Sequence, residues 1–146
     1  MSYTCLQYHI IFATKDRRPW LHADLMPRVV KYIGGIIRGS GGTLIEGNGP
    51  EDHLHLAAIL PPTHTVADVL RDIKGGSSGW AHDEIPELRE LDWQDGYSAF
   101  TVSQSIMPKV VEYIRNQQEH HKTVTFEDEL REVLEIHGIP FDERYL

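Results

Sequence analysis

The tripeptide His53-Leu54-His55 carries two imidazoles two residues apart. In an extended segment, side chains at that spacing leave the same face of the strand, so the pair can grip one divalent cation. Ala57 is small and leaves room beside them. Farther along, Tyr113 and Gln117 stand four residues apart, which on a helix separates them by only ~40°. Gln117 brings a carbonyl oxygen, a hard ligand for Mg²⁺ or Mn²⁺, and Tyr113 brings a phenol able to attack phosphorus. Each feature has an ordinary alternative when taken singly. His-Leu-His fits a solvated strand face, Tyr113 a boundary core position and Gln117 a surface amide.

The surrounding pattern predicts the elements that must position these groups. Leu6, Tyr8, Ile10 and Phe12 alternate with Gln7 and His9, which predicts a strand over residues 4–13. The basic turn Lys15-Asp16-Arg17-Arg18-Pro19 ends it. Leu25, Val29, Ile33, Ile36 and Ile37 then form a helical stripe, with Pro27 in its first turn and Gly39, Gly41 and Gly42 beyond its end. Strands over residues 43–46 and 53–60 flank the turn Gly47-Asn48-Gly49-Pro50 and read as a hairpin. In the second of them Leu54, Leu56, Ala58 and Leu60 take the core face, opposite the histidines.

A second helix opens at Thr65-x-x-Asp68 and buries Val66, Val69, Leu70 and Ile73. Residues 74–80, Lys-Gly-Gly-Ser-Ser-Gly-Trp, fit either a loop or a glycine-loosened helix. A fourth strand follows over residues 97–102. A third helix, capped by Ser105 with Pro108 in its first turn, runs to about His121 on the stripe Ile106, Val110 and Ile114. A last helix spans residues 126–137. The order β-α-β-β-α-β-α plus a C-terminal helix describes an α+β fold of ferredoxin-like (RRM-like) type. Its antiparallel sheet should carry the helices mainly on one face.

The 146 residues suit one domain, with a core at about 4–121 and an acidic helix and tail at about 123–146. The net charge of −8 argues against tight non-specific binding to nucleic acid, but it is unevenly spread. Residues 1–40 hold Lys15, Arg17, Arg18, Arg28, Lys31 and Arg38 against Asp16 and Asp24, a local +4. Lys15, Arg17 and Arg18 are the best candidates for phosphate contacts. No apolar run approaches the ~20 residues of a membrane span, the opening MSYTCLQYHIIF lacks the marks of a secretory signal, and Cys5 has no partner for an internal disulfide. A cytoplasmic location is the expectation.

Four segments, in order along the chain, carry a family resemblance. They are Tyr8-His9-Ile10-Ile11-Phe12-Ala13-Thr14-Lys15 with Arg17-Arg18-Pro19; Asp52-His53-Leu54-His55-Leu56; Trp93 to Ser103; and Tyr113-Ile114-Arg115-Asn116-Gln117-Gln118-Glu119-His120-His121. Together with the His-Gly-Ile…Asp-Glu-Arg-Tyr-Leu ending, they resemble the single-tyrosine insertion-sequence transposases of the HUH (His-hydrophobe-His) superfamily, including the REP-associated tyrosine transposases. The resemblance implies that Tyr113 attacks a single-stranded DNA phosphate, keeps the 5′ phosphate as an ester and releases a 3′-OH for later rejoining. It implies Mg²⁺ or Mn²⁺ on His53, His55 and Gln117, and no nucleotide cofactor, since the ester conserves the bond energy.

Single-stranded or hairpin DNA is the expected partner, touched by Lys15, Arg17, Arg18, Arg115, His120 and His121, the last two also within reach of the metal. The resemblance also implies a homodimer with shared active sites, the histidine pair of one subunit meeting the tyrosine helix of the other. His9 is expected to be solvated, although it could neighbour the site. His22, His64, His82 and His137 are expected on the surface, and Trp80 and Trp93 in the core. Two other functions remain open: a hairpin-DNA-binding regulator without strand transfer, and a metal phosphodiesterase that uses water and leaves Tyr113 structural.

Overall fold

Alternation in the first apolar segment produces strand β1, Gln7–Ala13, in the computed structural model, which describes residues 1–146. Helix α1 (Met26–Gly39) follows, then β2 (Thr43–Asn48), β3 (His53–Ile59), the long helix α2 (Val66–Glu84) and β4 (Ser98–Thr101). The chain finishes with α3 (Met107–Arg115), the single turn α4 (Gln117–His120) and α5 (Phe126–Ile136). The four strands form one antiparallel sheet in the order β2-β3-β1-β4, the expected ferredoxin-like arrangement. No helix is long and apolar enough to cross a membrane.

One face of the sheet meets α1 and α2. Ile10 and Phe12 of β1 and Leu54, Leu56 and Ala58 of β3 pack there against Val29, Ile33 and Ile37 of α1 and Val69, Leu70 and Ile73 of α2. Each such side chain contributes about 1.5–3 kcal/mol when fully buried. The stretch 74–80, open to two readings from sequence, lies wholly inside α2. Of its glycines only Gly76 faces a neighbouring element: a Cβ there would come within 2.9 Å of Ile36 Cδ1 of α1, so that side chain would have to shift, while Gly75 and Gly79 face open space. Ser77 is buried and accepts the Trp93 indole N–H at 3.0 Å, which fixes the acidic connection onto the helix.

The second face is covered as well, which differs from the expectation of helices mainly on one side. Ala57 packs with Met107 and Ile114 of α3, while Ile11 and Phe100 pack with Leu130 and Leu134 of α5. The start of α3 also differs from the expectation. Ser105 does not cap α3; its hydroxyl lies 3.2 Å from that of Ser103, Ile106 takes the N-cap position and is 46% exposed, and Met107 turns inward instead. The third helix also does not run to His121. It breaks at Asn116, whose ψ of 11° leaves the helical region, and restarts as α4.

The β2–β3 turn is tight enough to constrain the strand that carries the histidines. A Cβ on Gly49 would lie 2.1 Å from the His53 carbonyl oxygen, so only glycine fits without moving that backbone. Gly49→Ala is expected to destabilise the protein by about 1–3 kcal/mol in chemical denaturation. A change below 0.5 kcal/mol would show that the turn can open without cost.

Candidate metal and tyrosine site

Strand β3 supplies the first two groups of the site. His53 and His55 point away from the α1/α2 core, as their spacing requires, yet both are fully buried because α3, α4 and α5 close over them. Their Nε2 atoms meet a group that sequence reasoning did not single out, the Glu129 carboxylate in the first turn of α5. Glu129 Oε1 lies 3.1 Å from His53 Nε2, 2.9 Å from His55 Nε2 and 2.9 Å from His121 Nε2. Its Oε2 accepts from the Tyr113 hydroxyl and from Gln117 Nε2 at 2.9 Å. His120 Nε2 stands 3.3 Å away with no hydrogen bond.

The other nitrogen of each imidazole is held from behind. His53 Nδ1 lies 2.8 Å from Asp52 Oδ1, His121 Nδ1 lies 2.7 Å from the Val124 carbonyl oxygen, and His55 Nδ1 lies 2.8 Å from His9 Nε2. The β1–β3 register explains the last contact. His9 stands opposite Ala57, so it reaches His55 diagonally on the same sheet face, and it is buried rather than solvated. His53, His55, His121 and Glu129 each offer one ligand atom, and these atoms all lie within 4.8 Å of one another.

Charge in this buried pocket is partitioned by pairing. Burial alone would lift the Glu129 carboxyl, but hydrogen bonds from His121, His53 and His55 outweigh it and hold Glu129 well below the usual carboxylate range. Burial would lower His53, yet the two carboxylates on its ring nitrogens raise it above the ordinary value. For His55, burial wins and the ring drops to about 4; His9 falls to about 3, through burial and then the neighbouring His55. Burial, with the Glu129 hydrogen bond and charge behind it, pushes the Tyr113 phenol far up, so the hydroxyl keeps its proton.

Tyr113 reaches this point from its own chain. Its ring lies 5.8 Å from that of His55 and 6.1 Å from that of His9. The implied dimer would instead bring it to a partner's histidine pair. Asn48 of β2 donates its side-chain amide to the Ile114 and Arg115 carbonyls, both at 3.1 Å, and so ties the end of α3 to the strand beside β3. Gln117 comes to the site on the fresh turn α4 and is fully buried.

The remaining sequence candidates are spread more widely. Arg17 is engaged by Glu127 at 2.5 Å and by the Leu146 carbonyl at 3.3 Å. Lys15 is exposed, 3.8 Å from Asp92; Arg18 lies over the Trp20 ring; and Arg115 pairs with Glu46 at 2.7 Å. A groove lined by Arg17, Asp52, Phe126 and Glu127 opens onto one of the imidazoles, His121. Glu129 left one faint trace in the sequence: Thr125 three residues before Asp128 marks a helix start, which puts Glu129 in the first turn. Nothing local says that this turn is buried.

Comparison with known proteins decides the family. The family model described as "Transposase IS200 like" matches residues 2–117. The chain belongs to the IS200-like transposase family. The transposase for insertion sequence element IS200 from Salmonella typhimurium is 29% identical over 146 residues, covering 94% of this chain and 90% of that protein. The ISDra2 transposase TnpA of Deinococcus radiodurans is 25% identical over 119 residues, covering 78% of this chain and 85% of that one. Among solved structures, a transposase from Deinococcus radiodurans superposes with a TM-score of 0.65 at 26% identity, over 80% of this chain and 93% of its own. A REP-associated tyrosine transposase bound to a REP hairpin shares the fold, with a TM-score of 0.62 at 17% identity over 85% of this chain and 73% of its own. The expected class of enzyme, a tyrosine transposase, is the class these relatives support.

The pairing in this transposase has a consequence for its stability in acid. His9 and His55 titrate at about 3 and about 4 in the folded chain against an ordinary 6.5, so between 6.5 and those values the unfolded chain binds protons that the folded one refuses. Stability therefore falls as pH drops through that window, each group approaching ~1.4 kcal/mol per pH unit. His53, with its raised value, runs the opposite way: its contribution is complete below 6.5 and lost as pH rises. Glu129 enters only below its ordinary 4.5. With two lowered groups against one raised, the melting temperature in EDTA is expected to fall from pH 7 to pH 5, and His9→Gln to shrink that fall. Equal slopes in the two proteins would contradict the buried neutral His9.

Proposed function

We propose that this chain cleaves and rejoins single-stranded DNA through Tyr113, beside a divalent metal held by His53, His55 and Gln117. One observation carries the reading. The Tyr113 hydroxyl and the Nε2 atoms of His53 and His55 converge on the two oxygens of one carboxylate, in a protein of the IS200-like transposase family. The residues fit an ion. Gln117 Oε1 is a buried polar atom with no hydrogen-bond partner, and a carbonyl oxygen there is a hard donor beside two oriented imidazoles. Mg²⁺ or Mn²⁺ at this point would polarise the scissile phosphate and offset the negative field that keeps the phenol protonated.

In the cleavage step Tyr113 Oη bonds to phosphorus and the bond from phosphorus to O3′ breaks. The 5′ phosphate stays on the protein as an ester, and the departing 3′ oxygen gains a proton as the phenol loses one. Attack by a second 3′-OH reverses the sequence and reseals the strand, with no nucleotide cofactor. Lys15 and Arg18, exposed near the groove that opens onto His121, supply phosphate contacts in this reading, with Arg17, His120 and His121 closer to the site and Arg115 exposed beside Glu46. Hairpin DNA is the favoured substrate class, supported by the REP hairpin bound to the structural relative. Its place of action is the cytoplasm.

A covalent adduct separates this reading from a hairpin-binding regulator and from a phosphodiesterase that uses water. Wild-type protein incubated with labelled single-stranded DNA and Mn²⁺, then denatured, is expected to retain label. Tyr113→Phe, or EDTA, should lower the retained label by ~10³-fold or more. DNA cut without retained label would mean that water is the nucleophile.

The approach of Tyr113 to its own His55 supports a site completed within each chain, rather than one shared across a dimer. Co-expressed Tyr113→Phe and His53→Ala, each inactive alone, are therefore expected to remain inactive as a mixture. Recovery of cleavage would establish shared sites in a homodimer.

A further inference from the structure

We propose that Glu129 and His121 are ligands of the same metal ion, so that the C-terminal helix α5 is part of the metal centre. The inference rests on the metal reading above and extends it beyond residue 117, where the family model's match ends. Three imidazole Nε2 atoms aim at Glu129 Oε1 from 2.9–3.1 Å. Each of the three rings has its Nδ1 occupied by a separate group, the Asp52 carboxylate, the His9 ring and the Val124 carbonyl. For His53 and His121 the outer partner is an oxygen that only accepts, so Nδ1 keeps the proton and Nε2 is left free to coordinate; His9 can play the same part for His55 by accepting from its Nδ1.

The spacing also suits an ion. Ligands held ~2.1 Å from an octahedral centre are ~3.0–4.2 Å from one another, and these four ligand atoms already lie within 4.8 Å. A carboxylate supplies the anionic charge that the imidazoles and Gln117 lack. With an ion between them, Oε1 exchanges its hydrogen bonds for coordination, while Oε2 still accepts from Tyr113 and Gln117. Glu129 would then hold the attacking hydroxyl beside the ion. Helix α5 is built to deliver it: Thr125 caps the helix by accepting from the Asp128 N–H at 3.2 Å, and Leu130 and Leu134 seat it on Ile11 and Phe100.

The test is calorimetric titration of EDTA-stripped protein with Mn²⁺, joined to hydrogen exchange of residues 126–136 with and without the ion. Glu129→Ala, Glu129→Gln and His121→Ala are each expected to weaken Mn²⁺ binding by at least ~10-fold. Mn²⁺ should slow exchange in α5 of the wild type and not in the Glu129 variants. Circular dichroism verifies folding, and if Glu129→Ala unfolds, the near-isosteric Glu129→Gln decides. Unchanged or tighter Mn²⁺ binding in the Glu129 variants, with His53→Ala deficient, overturns this inference alone and makes the carboxylate a competitor of the ion. Unchanged binding in His53→Ala overturns the underlying metal reading and this inference with it.

Discussion

Glu129 sets the constraint on which the rest of the site depends, because an ionised carboxylate shut away from water must be met by donors or give up its charge. Five groups meet it, from β3, α3, α4 and the turn before α5, three at Oε1 and two at Oε2, against the roughly four lone-pair sites of a carboxylate. The elements that carry these donors are thereby tied to one buried charge. The sheet face bearing the histidines is therefore closed by polar pairing as much as by apolar packing.

The sheet converts that local demand into a fixed geometry. Register places His9 opposite Ala57 and Ile11 opposite His55, so one imidazole stands behind another on the same face. Strand periodicity sends the alternate residues, Leu54, Leu56 and Ala58, into the core against α1 and α2. One strand thus serves two layers, and the rigidity of the apolar layer is passed to the histidines. Functional groups on such strands are held more narrowly than loops allow. The tyrosine, by contrast, arrives on a short helix whose end is tied down by Asn48.

The charge distribution also takes on a different meaning in three dimensions. The acidic C-terminal segment, though largely exposed, is partly drawn into the fold. Glu129 enters the site, Glu127 pairs with Arg17, and Glu143 pairs with Arg131 at 2.7 Å. Part of the net −8 is therefore engaged within the molecule, while Lys15 and Arg18 remain exposed on the turn after β1. For a transposase that must approach a polyanion, where the positive charge sits matters more than the total.

Much of this protein was written locally. Period-two and helical patterns determine the order of strands and helices, and with it the ferredoxin-like sheet; the spacing of His53 and His55 determines that they share a face; and the ordered motifs from Tyr8 to His121 identify the transposase family. These are short-range properties, carried by neighbouring residues and readable one segment at a time. Tertiary structure alone decided the rest. It buried His9 and both strand histidines beneath α3 and α5, made residues 74–80 part of one long helix, broke the third helix at Asn116, and carried Glu129 from an ordinary acidic helix start into the centre of the site. The physical reason is the same in each case. Burial and charge pairing are set by groups distant in sequence, and an acidic residue in the first turn of a helix looks alike whether it faces water or three imidazoles.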